Sequence, residues 1–104
     1  MEDIRIDVGV DTILDVDLTS VSIGANEKVI FTIKNMPSVK AEPIIEKEFT
    51  ESKVHKVKIT AEESVCVQEK AEYDFQQVLA DGTRIKITDN GKIKLRHSVG
   101  DKLD

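Results

Sequence analysis

Val57 to Leu95 reads VKITAEESVCVQEKAEYDFQQVLADGTRIKITDNGKIKL, and this stretch decides the fold. Tyr73, Phe75, Gln77 and Leu79 share one parity of an alternating segment that ends at Ala80-Asp81-Gly82. Arg84 and Lys86 then alternate with Ile85 and Ile87, up to Asp89-Asn90-Gly91. Lys92, Lys94 and Arg96 alternate with Ile93 and Leu95 beyond it. Asp-Gly and Asn-Gly between alternating apolar residues mark hairpins, because the turn residues must tolerate positive φ. The pattern predicts a three-stranded antiparallel meander in which Ile85 and Ile87 pair against Ile93 and Leu95.

Upstream, Thr60-Ala61-Glu62-Glu63 fits a capping box, in which the Thr hydroxyl and the Glu carboxylate each take an orphan amide. The helix it opens is at most one or two turns over residues 61–69, with Val65 and Cys66 expected to face inward. Ile4, Ile6, Val8 and Val10 alternate with polar residues or glycine, and so do Leu14, Val16 and Leu18. Period two of this kind marks half-buried strands. Glu27–Lys34 predicts a central strand with Val29, Phe31 and Ile33 facing in. Ile45, Lys47 and Phe49 share the next parity, and a Lys on an apolar parity protects an edge strand. Val57 and Ile59 continue a strand whose wet side carries Lys56 and Lys58. Together these segments predict an all-β fold, an antiparallel immunoglobulin-like β-sandwich of seven or eight strands with one short helical turn. Residues 98–104 have little to bury and are expected to fray.

The chain has 104 residues, 39% hydrophobic and 34% charged, which suits one domain over residues 1–104. Its aromatics are Phe31, Phe49, Tyr73 and Phe75, so Val, Ile and Leu must fill most of the core. A single cysteine excludes an internal disulfide and fits a reducing compartment. No segment has the pattern of a signal peptide or the roughly 18 apolar residues of a membrane span. The expected location is the inside of a cell, or a particle assembled there.

Net charge is −5, and all of it falls in residues 1–26, which hold six acids and one base. Such asymmetry bears on association more than on fold. Asp3, Asp7, Asp15 and Asp17 line one acidic surface, while Arg84, Lys86, Lys92, Lys94 and Arg96 put five cations on one outer face of the predicted hairpin. Both read as solvated faces first and as candidate interface surfaces second, the acidic one of one copy meeting the basic one of another. Nucleic acid is disfavoured for the basic stripe, because stacking aromatics are missing and the chain is acidic overall.

Nothing calls for a metal or cofactor. Asp11, Asp15 and Asp17 have no Gly-pivoted loop to gather them into a calcium site. His55 and His97 have no Cys, His or Asp at ligand or triad spacing. Cys66, between Val65 and Val67, reads as a small buried hydrophobe. No catalytic residues are expected.

Several segments together carry a resemblance. They are Asp17-Leu18-Thr19, Val29-Ile30-Phe31-Thr32-Ile33-Lys34, the Thr60–Ser64 capping turn, Tyr73-Asp74-Phe75, Asp81-Gly82-Thr83 and Gly91-Lys92-Ile93. In this order they resemble small immunoglobulin-like domains of tailed phages and prophages of Gram-positive bacteria, with the N-terminal domain of baseplate upper proteins the nearest. Glu69-Lys70-Ala71-Glu72 stands where that family has Gly before the Tyr strand. The resemblance implies a non-enzymatic structural or assembly role through protein–protein contacts, with other subunits or further copies of itself as partners. A free-standing bacterial protein- or ligand-binding module is the alternative.

Overall fold

The structure, a computed structural model, describes residues 3–35, 42–88 and 91–97. The fold is all-β. Its strands are β1 (Ile4–Val8), β2 (Thr12–Asp17), β3 (Lys28–Lys34), β4 (Ile45–Phe49), β5 (Val54–Ile59), β6 (Glu72–Val78), β7 (Arg84–Lys86) and β8 (Gly91–His97). One helical turn, α1 (Ala61–Ser64), lies between β5 and β6. The larger sheet runs β1-β8-β6-β3-β4, with β7 also on β6, and β2 and β5 make a second, two-stranded sheet. Both sheets give their inward side chains to one core. Ile6, Val29, Phe31, Ile33 and Ile93 of the larger sheet join Val16, Val57 and Ile59 of the smaller.

β3 is the central strand that its alternation predicts. Val29, Phe31 and Ile33 are fully buried, and β4 and β6 flank it. Phe31 lies opposite Phe75 with ring centroids 4.9 Å apart, and 5.7 Å from the Tyr73 ring. Offset and tilted pairs of this kind stabilise beyond the area they bury. With so few aromatics, stacking them at the centre of the sheet gives the core its largest rigid block. β4 lies at the sheet's edge, and Lys47 on its apolar parity reaches Glu63 at 3.0 Å instead of entering the core.

The first expected hairpin is present. β6 and β7 pair antiparallel around Ala80-Asp81-Gly82, with Gly82 at φ 90° and Thr83 N–H donating to Asp81 Oδ1 at 2.9 Å. The second is not. β7 and β8 lie one after the other along the same edge of β6, so Ile85 faces Gln77 while Ile93 and Leu95 face Ile4 and Ile6. Asp89 and Asn90, half of the expected turn, lie outside the described residues. The register on either side shows what happens. Gln76 faces Lys86, but Tyr73 faces Gly91, two residues further on than an unbroken ladder would place it. The ladder is thus offset by two residues between Lys86 and Gly91, and both strands run antiparallel to β6. Phe75 N–H, beside this offset, donates to the Thr88 hydroxyl at 3.2 Å.

The strand pairing has a topological result. Beyond Lys92, β8 leaves β6 and pairs with β1, and this pairing is parallel, not antiparallel. The first and last strands thus close one end of the larger sheet side by side. The last strand runs on to include His97.

The helical turn corrects the sequence reading in one respect. The capping box is complete: Thr60 Oγ1 accepts from Glu63 N–H at 3.1 Å, and Glu63 Oε1 accepts from Thr60 N–H at 3.0 Å. However, the helix ends at Ser64, so the inward positions shift. Ser64 and Val67 are buried, whereas Val65 is 62% exposed and Cys66 is exposed. Ser64 is buried with its hydroxyl satisfied, donating to Ala61 O at 2.7 Å and accepting from Gly9 N–H at 2.9 Å. Polar groups are buried at little cost when both halves of the hydroxyl are used. Val10, counted in the first strand by its parity, lies beyond the end of β1 and is exposed.

Candidate protein interface

Two surfaces carry the residues singled out from the sequence. On the first, β1 and β8 run in parallel register, so Arg5 lies beside Lys94 and Asp7 beside Arg96. Arg96 holds Asp7 with two bonds, Nε to Oδ1 at 2.7 Å and Nη2 to Oδ2 at 3.2 Å. The guanidinium lowers the Asp7 pKa below its usual range, and the carboxylate raises that of Arg96 in return. Lys94 lies 4.0 Å from Asp3. These acids and bases, expected to meet between copies, are neighbours within one chain.

Because β7 and β8 continue along one edge of β6 and the slip is an even number of residues, Arg84, Lys86 and Lys92 keep one parity. All three are exposed on the outer face. The five cations therefore share a face, as expected, but along one interrupted strand and not across a hairpin. Arg84 donates to Gln76 Oε1 at 3.0 Å, and Lys92 stands opposite Glu72. Opposite charges facing each other across strands stabilise a sheet modestly.

The second surface is the outside of β2 and β5, which pair antiparallel with Asp15 opposite Lys56 and Ile13 opposite Lys58. Asp15 and Lys56 form an ion pair at 2.9 Å. Asp11 accepts from Ala61 N–H at 2.8 Å and lies 3.7 Å from Lys58. Asp17 accepts from both the hydroxyl and the N–H of Thr19, at 2.6 and 2.9 Å, and these bonds lower its pKa. Asp11, Asp15 and Asp17 thus each have a partner within the chain, and among the described residues no group of three or more His, Cys, Asp and Glu is placed to hold a metal ion.

Lys56, Lys58 and Asp11 were not among the expected site residues. The alternation of Lys56 and Lys58 with Val57 and Ile59 was visible, but nothing local says that their strand lies against Asp15. His55 is half-buried; its ring packs against Phe49, tilted, with centroids 4.7 Å apart, and Nε2 lies 2.8 Å from Glu51 O. Tyr73 is 4% exposed and offers no outward stacking platform.

No family model matches the chain, and neither curated proteins nor solved structures include a match to it.

Proposed function

We infer that the two sheets form an immunoglobulin-like sandwich. In that fold one layer holds the C, F and G strands and the other holds B and E, and a conserved Tyr stands near the start of F. The order β1-β8-β6-β3-β4 over β2-β5 supports this reading. So does Tyr73, second residue of the strand that follows the capping turn. Within this assignment β2 and β5 take the places of B and E. The flanking places of A and D are unfilled among the described residues.

We propose further that the domain is a non-catalytic assembly module that joins protein subunits through sheet edges and charged faces. A fold of this kind selects no chemistry by itself. The observation that carries the proposal is the pair of strands β2 and β5, each hydrogen-bonded on one side only among the described residues. Unpaired strand edges are templates for another chain, and proteins either cover them or use them. A phage or prophage origin follows from the resemblance in the capping turn, the Tyr-x-Phe strand and the Asp-Gly hairpin. The test is to induce prophage in the strain that encodes the chain, band the released particles by density and probe them with an antibody to the domain. Co-banding is expected; particles that form without the domain would overturn the phage assignment.

A further inference from the structure

From the two free edges of the smaller sheet we propose a self-association site: β5 of one copy takes β2 of a second copy, antiparallel, along its open side. This deepens the assembly reading and rests on it. The backbone supplies the first half of the argument. Leu18 N–H donates to Lys53 O at 3.1 Å, in line with the β2–β5 register. Hydrogen-bonded pairs alternate along an antiparallel ladder. Residues 12, 14 and 16 therefore bond to 59, 57 and 55, and the N–H and C=O groups of Ile13, Asp15 and Asp17 point to one free edge. Those of Val54, Lys56 and Lys58 point to the other. Among the described residues no hydrogen bond reaches these groups.

The side chains supply the second half. The same six residues face away from the core. β2 presents Ile13, Asp15 and Asp17; β5 presents Val54, Lys56 and Lys58. One free edge is acidic and the other basic. Pairing two β2 strands about a two-fold would set Asp15 against Asp15, and pairing two β5 strands would set Lys56 against Lys56. Like charges directly opposite destabilise a sheet. Pairing β5 with a neighbour's β2 instead repeats the register already used within the chain. Each Lys56 would lie between two Asp15 carboxylates. Ile13 and Val54, exposed by 56% and 51%, would each be covered by the neighbour's Lys58 stem or Asp17. Such a contact joins different surfaces, so it builds a ring or an open filament, not a closed dimer.

The experiment is light scattering of the whole chain across protein concentration and salt, with two charge-reversed variants, K56E/K58E and D15K/D17K. Circular dichroism first establishes that each is folded. Wild-type mass is expected to rise at least two-fold with concentration and to fall toward the monomer in high salt. Each variant alone is expected to stay monomeric. An equimolar mixture should associate again, because the reversed edges then match across molecules. If either reversal unfolds the chain, Lys56→Pro replaces it, since this removes only an outward N–H and a proline of that kind is tolerated at an edge. It too should hold the chain monomeric. A wild type that remains a monomer throughout, association unchanged by the variants, or a mixture that does not recover it would each overturn the site. Those results would leave the particle test of the assembly role standing on its own outcome.

Discussion

Gly91 shows how a residue can be read correctly for the wrong reason. Asn90-Gly91 is a turn signal, and positive φ is the usual explanation for its glycine. Here Gly91 begins β8 opposite Tyr73, and a Cβ built on it would lie within the Tyr73 ring. The glycine is required because the Tyr73 side chain occupies the space that a Cβ would need. Gly91→Ala is expected to cost about 1–3 kcal/mol or more through overpacking, read as a lower urea midpoint. At Gly82, with φ 90° and open space around the Cβ position, the turn explanation holds. Glu63 is the second informative residue. Partial burial pushes its carboxyl up, but the Thr60 amide, the Lys47 ammonium and the Thr60 hydroxyl together hold it below its ordinary value of 4.5. A folded-state pKa below the unfolded one adds stability that is full above the unfolded value and is lost as pH falls through the folded one. Wild type should therefore melt above Glu63→Gln near neutral pH, and the gap should close as pH drops below 4.5. A gap that widens in acid would contradict the Lys47–Glu63 arrangement.

Elements were legible wherever the signal was local. Alternation located β1 to β6, the capping box fixed the start of α1, and Asp81-Gly82 fixed the β6–β7 hairpin. What failed was the step from β7 to β8, because the alternation and the Asp-Asn-Gly signal say nothing of which edge the next strand takes. The difference lies in what competes for the edge of β6. If β8 turned back onto β7, the edge of β6 beside Glu72 and Tyr73 would lose its partner, and Ile93 would leave the core where it is 2% exposed. Neither contact is visible in a window of ten residues. Just past β7, the Thr88 hydroxyl serves Phe75 N–H in place of a ladder carbonyl. Thr88→Val keeps the shape and removes that acceptor, so it should cost about 1–3 kcal/mol, the usual penalty of an unsatisfied, partly buried donor. Chemical denaturation reads this directly. Cys66 was misplaced for a similar reason: the helix ends one turn sooner than its apolar neighbours suggested, so Ser64 and Val67, not Val65 and Cys66, face in.

At the scale of the molecule, sequence order and spatial order part company. Residues from the two ends of the chain meet as β1 and β8, where Asp3 and Asp7 pair with Lys94 and Arg96 within the chain. The charges that stand on open strand edges are instead those of β2 and β5. This arrangement was not legible, because strands 41 residues apart in the Asp15–Lys56 pair are brought together only by the whole fold. The central claim is that this small sheet carries one acidic and one basic free edge that complete each other between copies. Residue-resolved amide hydrogen exchange, in dilute and in concentrated protein, tests it most directly. In dilute solution the amides of Ile13, Asp15, Asp17, Val54, Lys56 and Lys58 should exchange fast while those of Leu14, Val16, His55 and Val57 are protected. In concentrated solution the first set should become protected as well. Equal protection of both sets in dilute solution, or fast exchange of the first set at every concentration, would contradict the account.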